Sequence, residues 1–120
     1  MKYLLAFLPR DLLHRVKEAL VREHIHGMTV SDVTGFGQEH DTAHPEHHEY
    51  LGLELTKKAR LEIVCQDEEV DRVLEAIYAA GHTGHAGDGK VFVLPVLDAL
   101  RIKTGERGPA ALGPTFTPEV

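Results

Sequence analysis

Between residues 9 and 23 the apolar positions Leu12, Leu13, Val16, Ala19 and Leu20 recur at three- and four-residue spacing, with charged residues between them. That period gathers them on one stripe of an α-helix, and Pro9 stands near its start, where a missing N–H costs least. A second stripe, Val70, Val73, Leu74, Ile77 and Tyr78, follows the acidic trio Asp67, Glu68 and Glu69. Acidic side chains complement the positive end of a helix, so the spacing predicts a helix that opens at 67 and ends before Gly81. A short apolar run precedes each stripe, residues 3–8 and 61–65, and a β-rich stretch follows each. The predicted order is strand, helix, strand, twice over.

The two halves also align. At an offset of 57 positions, Arg15, Val16, Glu18 and Ala19 fall over Arg72, Val73, Glu75 and Ala76, and the strand residues 4–7 fall over 61–64. Agreement of strand and helix in one register points to an internal duplication. Doubled βαβ units predict an α+β fold, the ferredoxin-like β-α-β-β-α-β sandwich. Between the halves, residues 38–53 carry almost no apolar periodicity and read as a long exposed loop, the expected place for partner contact.

Composition narrows the class. A chain of 120 residues with 42% hydrophobic and 27% charged positions is one globular domain. Its core must be aliphatic, since Trp is absent and aromatics are few, and at this size association between copies would help stability. The net charge of −6 argues against a non-specific hold on nucleic acid or on an anionic membrane. Cys65 is the lone cysteine, so internal disulfides are excluded, a reducing cytoplasm fits, and the residue reads as a small core side chain. The apolar N-terminal run stops at Pro9 after eight residues, too short to span a membrane, and reads as a buried strand.

Candidate chemistry begins in residues 83–90, where Gly84, Gly87 and Gly89 precede Lys90. Glycines let backbone N–H groups approach an anion, and the lysine adds a charge, although an ordinary glycine-rich turn has the same composition. No Walker motif is present, and the segment leads into a strand over 91–93. Arg101 and Lys103 fall on one face of an expected strand, as do Lys58 and Arg60; either an anion or nearby carboxylates such as Asp88 and Glu62 would satisfy the first pair. Four of the nine histidines, His40, His44, His47 and His48, lie in the long loop among carboxylates. Such a set could bind a transition metal, titrate near neutrality, or simply remain solvated.

Several of these segments together resemble a known family. Gly27-Met28-Thr29-Val30-Ser31, Gly35-Phe36-Gly37, Leu61-Glu62-Ile63-Val64, Gly87-Asp88-Gly89-Lys90-Val91-Phe92-Val93 and residues 101–108 look like signatures of the P-II signal-transduction proteins, in order and in spacing. The resemblance covers residues 1–108 as one domain, with an irregular tail over 109–120. It implies a compact homotrimer that senses adenine nucleotides (ATP, ADP or AMP) in clefts between subunits and does no catalysis. Carried over by position, Thr29, Gly37 and Val64 would line the adenine and ribose side, with Gly35 and Glu62 as further nucleotide-binding positions. Gly87, Asp88, Gly89 and Lys90 would hold the phosphates, and Arg101 and Lys103 would reach in from the adjacent chain. Lys103 stands where the family often has Arg, which keeps the charge but loses the bidentate fork.

The loop at 37–54 then corresponds to the family's T-loop, which engages partners such as membrane transport proteins. Gln38 and Glu39 replace the usual Arg-Gln, whose glutamine helps bind the Mg²⁺ shared by ATP and 2-oxoglutarate. The carboxylate of Glu39 would repel a dicarboxylate, while Lys58 remains at the effector position. The expected second effector, held by Gln38, Glu39 and Lys58, is therefore a smaller anion such as bicarbonate. Leu51 occupies the position of the family's modified tyrosine, with Tyr50 one residue earlier, so uridylylation is not expected. A metal-responsive protein using the loop histidines, and a slow ATPase using Lys90 and Glu39 around Mg²⁺, are the competing readings.

Overall fold

A computed structural model describes residues 1–36, 55–85 and 87–114. Four strands and two helices follow one another as β1 (Lys2–Pro9), α1 (Leu13–Arg22), β2 (Thr29–Phe36), β3 (Leu55–Cys65), α2 (Val70–Gly81) and β4 (Lys90–Pro95). The sheet order is β2-β3-β1-β4 with every neighbour antiparallel. This is the ferredoxin-like sandwich expected from the doubled pattern. The duplication is structural as well: a 3-10 turn opens each helix, Arg10–Leu12 before α1 and Asp67–Glu69 before α2, in the register seen in the sequence.

Strand alternation divides the sheet into two faces. On one face Leu4, Ala6, Leu8, Ala59, Leu61, Ile63 and Cys65 are buried under the helices, whose inward stripes supply Val16, Leu20, Val73 and Ile77. The other face carries Tyr3, Leu5, Phe7, Arg60, Glu62, Val64, Phe92 and Leu94, and much of that apolar surface stays open to solvent within the single chain. Helix α2 ends differently from the expected glycine stop. Gly81 is its last helical residue, with no left-handed backbone there, and His82 caps it in an extended conformation. A Cβ at Gly81 would meet Val16 Cγ2 at 3.4 Å, so the glycine serves the close approach of α1 to α2.

Two further segments depart from expectation. The strand expected to present Arg101 and Lys103 on one face is a turn instead. Arg101 N donates to Glu106 O at 2.9 Å, and Gly105 N donates to Arg101 O at 2.7 Å with Gly105 at φ +80°. Only the bridge between Leu100 and Arg107 is strand-like. The tail opens as a 3-10 turn, Gly108–Leu112, and the buried Gln66 amide donates to Pro109 O at 2.9 Å and to Gly113 O at 3.3 Å. Among the described residues no helix is long and apolar enough to cross a membrane.

Burial pushes the Cys65 thiol up to about 11. Folding therefore favours the neutral thiol, and that contribution is full below the ordinary thiol value of 9.0 and fades as pH rises toward about 11. Native protein at pH near 8 should leave Cys65 unlabelled by a disulfide reagent until denaturant is added, and rapid native labelling would contradict its placement. Leu61, fully buried at the sheet centre, should lose about 2–5 kcal/mol of stability as Leu61→Ala in chemical denaturation.

Candidate functional site

The glycine-rich segment packs on the end of β1 more tightly than any side chain would permit. A Cβ on Gly89 would sit 1.8 Å from the carbonyl oxygen of Phe7, and Gly89 has φ +98°. Gly84 and Gly87 also take positive φ, +84° and +94°. Three left-handed positions within six residues turn the chain sharply between α2 and β4, a path that only glycine follows without strain.

A carboxylate fixes that path from inside. Asp88 accepts hydrogen bonds from Thr83 N at 2.8 Å and Gly84 N at 2.9 Å, and a short one from the Thr83 hydroxyl. The Thr83 hydroxyl, followed by the two backbone donors, holds the Asp88 carboxyl below the usual aspartate range despite partial desolvation. Its negative charge is thus turned into the loop, where it shapes the turn. From the other side, the Lys58 ammonium on β3 donates to Gly87 O at 2.9 Å, and its side chain is only 8% exposed. A buried ammonium requires polar partners, and a carbonyl of this loop is one of them.

The strand register brings the remaining candidates toward the same face. Phe7 pairs with Lys90 on one side and Arg60 on the other, and Pro9 pairs with Lys58. Three cations from β3 and β4 therefore flank the end of β1 beside the glycine turn. Farther along the open face, Glu62 pairs across strands with Thr29 and with Leu5, and Val64 with Tyr3. The Tyr3 hydroxyl donates to Glu62 Oε2 at 2.5 Å, Arg60 pairs with Glu62 Oε1 at 3.1 Å, and Arg60 Nε donates to Ser31 Oγ at 3.1 Å. That hydrogen bond to Glu62 raises the Tyr3 phenol above its ordinary value. Gly35 lies near the end of β2 opposite Thr56, with the Lys58 side chain 3.9 Å from where its Cβ would be.

Arg101 and Lys103 stay apart from this group. They sit exposed at the tip of the turn beyond β4, and among the described residues no hydrogen bond or ion pair ties either side chain to the glycine loop. Nor do the carboxylates expected to satisfy them do so, because Glu62 pairs with Arg60 and Asp88 caps its own loop. Gly37, Gln38, Glu39, His40, His44, His47 and His48 lie outside the described residues, as does the whole expected T-loop. Among the described residues no group of three or more His, Cys, Asp or Glu side chains could hold a metal ion.

Two sets of contacts were not legible in the sequence, although His82 and His85 read there as residues that bind phosphate or shape the glycine-rich turn. Asp98 accepts from Arg107 Nε at 3.0 Å, from Ala99 N at 2.8 Å and from Gly108 N at 3.1 Å, closing the base of the turn that carries Arg101 and Lys103. The Arg107 guanidinium holds the Asp98 carboxyl below its usual range. His82 stacks on Tyr78 with ring centroids 4.8 Å apart, and its Nδ1 lies 3.7 Å from Asp88. Asp98 and Arg107 lie nine positions apart around a tight turn, a pairing that strand alternation does not reveal.

Comparison with known proteins identifies the family. A family model described as "Nitrogen regulatory protein P-II" matches residues 1–106. The chain is 43% identical over 112 residues to nitrogen regulatory protein P-II 1 of Methanothermobacter thermautotrophicus, covering 93% of this chain and 97% of that protein. It is 42% identical over 115 residues to the P-II protein of Azospirillum brasilense, covering 93% of this chain and all of the other. Identity to the P-II protein of Nostoc punctiforme is 46% over 101 residues, 83% of this chain and 89% of that one. With the fold, the motif order and near-complete coverage in agreement, this chain belongs to the P-II family of nitrogen regulatory proteins and is a signalling, regulatory protein.

Proposed function

We propose that this chain reports adenine-nucleotide state to a partner protein. ATP, ADP or AMP binds at the glycine loop, with Mg²⁺ accompanying the polyphosphates, and the arm over 37–54 conveys the result to a partner such as a membrane transport protein. The observation that carries this reading is the loop itself. Its three left-handed glycines and the Lys90 ammonium stand beside Lys58 and Arg60, while the one carboxylate of the loop is turned inward to Thr83 and Gly84. Backbone N–H groups with Lys58 and Lys90 beside them suit a phosphate chain, while Arg60 is shared with Glu62. Thr29, Gly35, Glu62 and Val64, aligned along the neighbouring strands, would take the nucleoside, and the family resemblance adds Gly37.

Assembly as a homotrimer completes the site. The open sheet face presents Val64, Phe92 and Leu94, and beyond it Leu97 and Ile102 are 97% and 93% exposed. Apolar side chains this exposed, on the same segment as Arg101 and Lys103, favour burial against a neighbouring copy, which would then receive both cations. The second effector is a small anion, bicarbonate rather than 2-oxoglutarate, bound near Lys58 with Gln38 and Glu39 from the arm. Support comes from Lys58, which links β3 to the glycine loop through Gly87 O. An anion drawing on that ammonium would change the loop's anchorage, and nucleotide and effector would then be coupled reciprocally.

Light scattering on the eluted protein should give the mass of a trimer, and a monomer at micromolar concentration would contradict the shared site. Calorimetric titration should show one ADP site per chain, and Lys90→Ala should weaken it by about ten- to a hundred-fold with the circular dichroism spectrum unchanged. Unaltered affinity in that variant would overturn the phosphate assignment. Added bicarbonate should shift ADP affinity while 2-oxoglutarate leaves it in place; the reverse pattern would sink the small-anion reading.

A further inference from the structure

Residues 100–107 are all exposed, yet the turn they form beyond β4 is closed by its own hydrogen bonds. Arg101 N donates to Glu106 O at 2.9 Å and Gly108 N to Ala99 O at 3.0 Å, with Gly105 at φ +80° and Gly108 at φ +71°. Both carboxylates of the segment bind groups of the turn itself. Glu106 accepts from the Thr104 hydroxyl at 2.8 Å. Asp98 accepts from Ala99 N at 2.8 Å, from Gly108 N at 3.1 Å and from two nitrogens of the Arg107 guanidinium. One side chain thus ties the first residues of the turn to the last.

The chain on either side is anchored to the scaffold. Val96 N donates to Met1 O at 3.2 Å, and the buried Gln66 amide holds Pro109 O at 2.9 Å. Asp98 lies between these two anchors and so bears on the direction in which the tip points. At that tip stand Arg101 and Lys103, and among the described residues neither side chain has an ion pair of its own. An isolated surface ion pair such as Asp98 with Arg107 would contribute little. Two of the Asp98 bonds, however, are to backbone N–H groups, and these act on the course of the main chain. A cation presented on a turn that is already folded binds more tightly than the same cation on an unfolded loop, because less chain is ordered on binding.

We infer that Asp98 is a positioning residue for nucleotide binding: its staple presets the turn, so that Arg101 and Lys103 enter the phosphate site of a neighbouring copy already in place. The inference rests on the nucleotide reading above and adds to it a residue that touches no ligand. Its sign is distinctive. Removing a carboxylate near a phosphate chain would tighten binding by electrostatics alone, whereas loss of the preset weakens it.

The test is a calorimetric titration of ADP into the assembled full-length protein. Wild type is compared with Asp98→Ala, Asp98→Asn, the double variant Arg101→Ala with Lys103→Ala, and the triple variant. The double variant should bind about ten- to a hundred-fold more weakly than wild type. Asp98→Ala should weaken binding about three- to ten-fold. Asp98→Asn keeps an oxygen for the Ala99 and Gly108 N–H groups and should lie nearer wild type. Added to the double variant, Asp98→Ala should weaken binding no further, a non-additivity that a general loss of stability does not produce. Affinity in Asp98→Ala equal to or tighter than wild type would overturn the inference, as would an Asp98→Ala effect that persists undiminished without the two cations. If the double variant binds as tightly as wild type, the preset is overturned while the glycine loop keeps its nucleotide. Absence of ADP binding in every one of these proteins would refute the nucleotide reading instead. Amide hydrogen exchange then decides the staple without ligand: exchange at Arg101 and Gly108 should quicken in Asp98→Ala with β1 and β3 unchanged, and unaltered exchange would overturn it.

Discussion

The approach of Gly89 to the carbonyl of Phe7 governs the rest of the site. With no room for a Cβ, the chain leaving α2 must lie flat on the end of β1 before it can start β4. That contact sets where Lys90 begins β4, opposite Phe7, and so sets which face of the sheet its ammonium joins. Asp88 can reach back to Thr83 and Gly84 only because the glycines on either side of it accept left-handed backbone. Gly87 O is offered to Lys58 by the same turn. Sterics at one residue thus fold a carboxylate into the loop and seat Lys90 at the end of β1, where the β1–β3 register has already put Lys58 and Arg60.

The same economy appears in the scaffold. Two copies of a strand, a 3-10 turn and a helix lie in one register, so each helix covers the sheet through equivalent positions, Val16 and Val73 among them. Covering one face with two helices leaves the other face apolar and open, and a turn carrying two nearly bare aliphatic side chains extends beyond it. In this member of the P-II family the glycine loop therefore lies at the end of that open face, beside Lys58 and Arg60 of β3.

Much of this was legible in the sequence, for identifiable reasons. The stripes of α1 and α2 follow the helical period, and the buried strands β1 and β3 read as apolar runs, because both periods are imposed by one core. The glycine cluster before Lys90 signalled an unusual turn. What could not be read was direction: Asp88 was expected to face a phosphate and instead caps its own loop, a choice set by the three-dimensional return of Thr83. Arg101 and Lys103 were expected on a strand face, but Gly105 and the Asp98–Arg107 staple fold their segment into a turn. Gly81 has the sequence look of a helix stop, and it is instead the last helical residue, close against Val16. In each case the deciding contact is between groups whose proximity no periodicity encodes.

The central claim is that the seating of the glycine loop on β1 creates the nucleotide site, and Gly89→Ala tests it most directly. The added methyl group must push the loop away from Phe7 while leaving Lys58, Arg60 and Lys90 in the protein. Calorimetry with ADP, alongside a melting curve to confirm folding, should show binding weakened by more than about ten-fold in a folded variant. A folded Gly89→Ala protein that binds ADP as tightly as wild type would contradict the account.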